Sequence, residues 1–106
     1  MKSPAVAARQ AILEARKAID ELDQRLVRLL NERTRHVVDV GRAKQLTGDP
    51  IYQPGREEKI FSSILGANQG PLDDGALRRL FERILDESRR AERLSTASKT
   101  EDTDTD

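Results

Sequence analysis

The chain has 106 residues, room for one domain, and its 19 lysines plus arginines equal its 19 aspartates plus glutamates, so it offers no net field to a nucleic-acid backbone or a basic partner. It has no cysteine and a single histidine, His36, which excludes disulfides and thiolate metal sites and argues against a histidine-based one. Charged residues make up 36% of the chain and aromatics 3%, and neither the start, "MKSPAVAARQ", nor any later segment has an apolar run suited to a signal peptide or a membrane span; a soluble cytoplasmic helical protein with no metal or cofactor is expected.

The first predicted element is a long helix from about Ala5 to about Gln45. No proline interrupts residues 5–49, and Gly41 is the only interior glycine before Gly48. At about 100° per residue, Ile12, Ala15, Ile19, Leu22, Leu26, Leu29, Leu30, Val37 and Val40 share one face. Asp20, Glu21, Arg25, Arg28, Glu32, Arg35 and Arg42 lie opposite. Two cations break the pattern, for Arg33 and Lys44 fall near the middle of the apolar stripe. Arg16 falls on its shoulder beside Asp23. Gly41 is near that shoulder too, where a missing side chain leaves room for a neighbouring backbone or a ligand.

"TGDPIYQPG" (47–55) contains two glycines, two prolines and an aspartate and predicts a loop. A second helix follows from about Gly55 to Ala67, its first turn carrying acidic side chains that suit the helix dipole. Its apolar set is Ile60, Phe61, Ile64 and Leu65. "NQGP" (68–71) ends it. The third helix runs from Asp73, a plausible N-cap, to about Leu94. Leu77, Leu80, Phe81, Ile84, Leu85 and Ala91 form its apolar set, and Ser88 and Glu92 sit on or beside that stripe, one turn apart. Residues 96–106 are polar, acidic and aperiodic, and are expected to form a disordered tail beyond a helical domain at 1–95.

The expected fold class is therefore all-α, with one long helix and two shorter ones per chain. Some 40 helical residues span roughly 60 Å, whereas a compact globule of this length has a radius of gyration of about 13 Å. Two short helices cannot cover such a stripe. A second copy of the chain is the simplest cover, so an intertwined homodimer is expected.

Arg16, Arg33, Lys44 and Arg56 then face one interior with Gln53, Glu57, Ser88 and Glu92. Burying an unpaired charge costs several kcal/mol, and the local carboxylates are too few to pair every cation. A small dicarboxylate would complete the balance, since the planar fork of arginine fits a carboxylate. Plainer explanations stand beside this one. An arginine on an apolar stripe can snorkel out along its stem, and a lysine near a helix end suits the dipole. Arg16 with Asp23, or Arg56 with Glu57, can be a surface pair of small weight. Ser88 can bond back to the preceding turn, and Glu92 lies in "ESRRAER", a mostly solvated run. Composition and periodicity reach a helical dimer with a possible anion pocket and do not name a reaction.

"R-x-x-I-D-x-x-D" (Arg16 to Asp23), "L-L-N-E-R" (Leu29 to Arg33), "V-G-R-A-K" (Val40 to Lys44), "R-E-E" (Arg56 to Glu58) and "I-L-D-E-S" (Ile84 to Ser88), in this order and spacing, resemble the all-helical chorismate mutase family over about residues 9–95. The resemblance implies a three-helix chain that dimerises through its first helices, with two sites each shared between chains. It implies that Arg16 reaches in from the partner to hold a substrate carboxylate, that Arg33 binds the other carboxylate, and that Lys44 contacts a carboxylate and the ether oxygen. Arg56 would support the carboxylate end, Glu57 would accept the substrate hydroxyl, Ser88 would assist carboxylate binding and Glu92 would lie against the ether oxygen. The implied reaction converts chorismate to prephenate on the route to phenylalanine and tyrosine. Two positions depart from the bacterial pattern of that family. Glu92 replaces a glutamine, although fungal members also have glutamate there, and an ionised carboxylate would repel charge growing on the ether oxygen, so Glu92 must be protonated to donate. Gln53 replaces an aspartate that often contacts the substrate hydroxyl. The rival expectations are an isochorismate–pyruvate lyase of the same fold and a non-catalytic helical dimer or regulatory module.

Overall fold

A computed structural model of the chain describes residues 3–104, with side chains described through Thr96. The described residues form three helices and no strand: α1 (Pro4–Thr47), α2 (Pro54–Ala67) and α3 (Asp74–Asp104). The order and type of the elements are those expected. The chain divides into two units, Met1–Arg33 and Thr34–Asp106.

The first unit is the N-terminal part of α1. Ser3 caps it, its Oγ accepting from the Val6 N–H at 3.2 Å, and Pro4 opens the helix where a missing N–H costs nothing. Every described residue of this unit is exposed except the half-buried Arg33. The exposed set includes the whole predicted stripe, with Ile12, Ile19, Leu22, Leu26, Leu29 and Leu30 between 43% and 57% exposed. Within a single chain that face has no cover.

The second unit holds the end of α1 together with α2 and α3. α1 stops at Gly48, whose φ of +79° suits a residue without Cβ, and the Gly48 N–H donates to the Lys44 carbonyl at 2.8 Å. This is the left-handed helix ending that glycine favours. Pro54 at the start of α2 fixes φ for a first helical turn. α3 is capped as expected, the Asp73 Oδ1 accepting from the Ala76 N–H at 2.7 Å. It extends beyond the predicted end near Leu94 because neither proline nor glycine follows Gly75. The tail expected at 96–106 falls, beyond Thr96, outside the residues whose side chains are described.

Packing in this unit follows the predicted faces. Ile60, Phe61, Ile64 and Leu65 of α2 are half-buried, as are Leu77, Phe81, Ile84 and Ala91 of α3, and Leu85 is buried. Leu80 departs from its predicted set and is 55% exposed. The Arg78 guanidinium covers the Phe61 ring at 4.2 Å from its centroid, closing the α2–α3 seam with a cation on an aromatic face. Gly41 is buried because α3 lies directly on it. A Cβ built there would stand 3.2 Å from the Glu92 Cα and 2.9 Å from the Ser95 Oγ. The missing side chain therefore makes room for a neighbouring helix backbone.

Candidate functional site

The close approach at Gly41 sets the α1–α3 distance, and Lys44 lies three residues further along α1, on the same side. Its Nζ donates to both carboxylate oxygens of Glu92, at 3.1 and 3.3 Å, and to the Ile51 carbonyl at 3.0 Å. The two side chains are 12% and 10% exposed. An ammonium has three N–H donors, and these contacts account for them, so a further oxygen ligand has to displace one. The contact with Ile51 also ties the loop after α1 to the same ammonium. Ion and hydrogen bond reinforce each other in so dry a place, and either charge alone would be costly there.

A second pair lies between α2 and α3. Glu57, in the first turn of α2, accepts from Arg89 Nη1 at 2.5 Å, with the two side chains 20% and 24% exposed. The other Nη of Arg89 donates to Asp86 one turn back, and the guanidinium lies 5.6 Å from the centroid of the Tyr52 ring. Hydrogen bonding to Glu57 holds the Arg89 guanidinium above its ordinary pKa against an opposing effect of burial, so it stays charged throughout the physiological range.

The remaining predicted residues divide by unit. In the second, Gln53 and Arg56 line an open pocket of about 570 Å³ with Tyr52, Pro54 and Lys59. Gln53 is the N-cap residue of α2 but makes no side-chain cap bond, and Arg56 is exposed. The Ser88 hydroxyl donates to the Ile84 carbonyl at 2.8 Å, the back-bonded arrangement considered for it above. In the first unit, Arg16 is exposed and Arg33 is half-buried. The structure thus brings Lys44 to Glu92, sets Glu57 and Ser88 on the packed faces of α2 and α3, and leaves Arg16 and Arg56 open to solvent.

Arg89 is the residue that the sequence reasoning missed, because it falls within the solvated run "ESRRAER". The signal was present, since Arg89 is four residues after buried Leu85 and three before buried Glu92, on the stripe itself.

Among the described residues, no group of His, Cys, Asp and Glu has the arrangement of a metal site, and no helix is long and apolar enough to cross a membrane. What the site presents is a set of fixed cationic donors beside one buried acid. Such a set can bind carboxylates and stabilise negative charge that develops on an oxygen.

Comparison with known proteins bears on the ligand. The family described as chorismate mutase type II matches residues 15–93. A bifunctional chorismate mutase/prephenate dehydratase of Neisseria gonorrhoeae is 38% identical over 87 residues, covering 82% of this chain and 24% of that protein. The chain thus spans about a quarter of the length of such bifunctional relatives. A chorismate mutase of Methanocaldococcus jannaschii is 38% identical over 55 residues, covering 52% of this chain and 56% of that one. Among solved structures, chorismate mutase form II from Thermus thermophilus superposes with a TM-score of 0.76 at 36% identity, covering 78% of this chain and 94% of that chain.

Proposed function

Because the chain belongs to the chorismate mutase type II family, we propose that it catalyses the intramolecular rearrangement of chorismate to prephenate, a step toward phenylalanine and tyrosine. The observation that carries this function is the nearly dry Lys44–Glu92 pair: a cation and an acid held side by side where an ether oxygen would gain negative charge.

The chemistry fits the means available. One C–O bond breaks and one C–C bond forms within a single molecule, with no net gain or loss of protons or electrons. A protein can hold the enolpyruvyl arm over the ring in its reactive conformer, and it can supply donors to the ether oxygen as charge grows there. Lys44 supplies one such donor and a carboxylate contact, and Glu92 in its acid form supplies another. Arg33 and Arg16 take the two carboxylates, Arg16 from the partner chain, with Arg56 and Ser88 supporting the carboxylate end. Serving there, the Ser88 hydroxyl rotates away from the Ile84 carbonyl. Glu57 accepts the substrate hydroxyl, and Gln53 hydrogen-bonds nearby.

The active species is a homodimer. Its support is the apolar face of the first unit, exposed along its whole length in a single chain, for which a second copy supplies the matching stripe. The proposed compartment is the cytoplasm, since a dianion does not cross a bilayer unaided and must be met where it is made.

Incubating the purified chain with chorismate and, separately, with isochorismate tests the proposal. Prephenate formed without pyruvate is the expected result. Pyruvate from isochorismate as the main product would make the protein a lyase, and turnover of neither would leave a non-catalytic helical dimer.

A further inference from the structure

We propose that Arg89 is a positioning residue for Glu57, holding its carboxylate where it takes the substrate hydroxyl; this rests on the mutase assignment above. Arg89 makes no part of the charge constellation drawn from the family pattern, and its role comes from geometry alone.

Three elements restrain its guanidinium. Asp86, on the same helix, accepts from one Nη. Glu57, at the start of α2, accepts from the other. Tyr52, in the loop before α2, presents its ring to the guanidinium at 5.6 Å. A planar fork anchored at one end is a stiff arm at the other, because the two Nη directions are fixed relative to each other. Asp86 therefore aims the second Nη, and that group takes the Glu57 Oε2. The Glu57 Oε1 is then directed by a bond made at its neighbour. A glutamate in a first helical turn has three side-chain torsions to fix, and their freedom is lost on binding unless it has been lost beforehand. Arg89 fixes them before substrate arrives. The same arm links the loop, α2 and α3 through charged contacts in the second unit.

A role exerted through Glu57 must vanish when Glu57 is gone. The test is a double-mutant cycle in the full-length chain, using steady-state kinetics with chorismate on wild type, Arg89→Ala, Glu57→Ala and the double variant. Arg89→Ala should raise KM about tenfold with kcat changed less than about threefold, the mark of a lost ground-state contact. In the Glu57→Ala background the same change should alter kcat/KM by less than about twofold. Arg89→Lys, with the charge but not the fork, should recover only part of the loss. Equal losses with and without Glu57 would overturn the positioning role, as would an Arg89→Ala variant with wild-type kinetics. If Arg89→Ala does not fold by circular dichroism, Arg89→Met, which keeps the apolar stem, takes its place in the cycle. A wild-type chain inert toward chorismate removes the mutase assignment and this role together, whereas an active wild type with additive losses removes this role alone.

Discussion

Lys44 and Glu92 stabilise each other where neither would be stable alone, and that bond has consequences for single substitutions. Lys44→Ala removes a donor to the ether oxygen and leaves a carboxylate in a nearly dry site. Its kcat/KM should fall by about 10²–10³-fold, the usual cost of losing one donor to a developing oxyanion, while sedimentation still gives a dimer. A loss under about threefold would remove Lys44 from the chemistry. Glu92 raises a different question, because its bond to Lys44 is that of a carboxylate to an ammonium, whereas donation to an ether oxygen needs the acid. Turnover should accordingly decline as pH rises, since the deprotonated side chain repels the growing charge. Glu92→Gln donates at every pH, so its rate profile should be flat over the range where wild type declines. Superimposable profiles for the two proteins would count against Glu92 as donor. The helical wheel turned Lys44 and Glu92 toward buried faces from spacing alone. It missed Arg89 because a run of charges was read as solvated surface.

Helix α1 is positioned against α3 by an absence, the missing Cβ of Gly41. The nearest backbone atom to that Cβ would be the Glu92 Cα at 3.2 Å. Ser95 can rotate its hydroxyl away, but the α3 backbone can yield only by shifting, and Glu92 shifts with it. Gly41→Ala should therefore cost about 1–3 kcal/mol of stability, the range for overpacking a well-fitted contact. It should also lower kcat, because Lys44 and Glu92 are set on opposite sides of that contact. A fully active variant with an unchanged thermal midpoint would show that α3 adjusts freely at Gly41. The sequence made the glycine suspicious by its place on the stripe's shoulder. Choosing between a helix backbone and a ligand as its neighbour required α3 in place.

At the scale of the whole molecule, the first unit exposes an apolar stripe that requires a partner. Leu22 and Leu26, 49% and 54% exposed in the single chain, lie on it. Sedimentation velocity at micromolar concentration should give twice the 11.9 kDa chain mass. Leu26→Glu should abolish the dimer and, with it, turnover, because Arg16 would no longer reach the partner's site. An active Leu26→Glu monomer would refute the shared site. Helix-forming composition, breakers at 48–55 and 68–71, and a period of 3.6 determined by themselves that the chain forms one long and two shorter helices, and which faces are apolar. These properties depend on residues within a turn or two of one another. Only the tertiary structure decided which charges meet: Lys44 with Glu92 across 48 residues and Glu57 with Arg89 across 32. A helical wheel gives the direction of a side chain about its own axis, whereas a contact also needs the spacing and rotation of a second helix. Packing fixes both, and at Gly41 it does so with a residue that has no side chain.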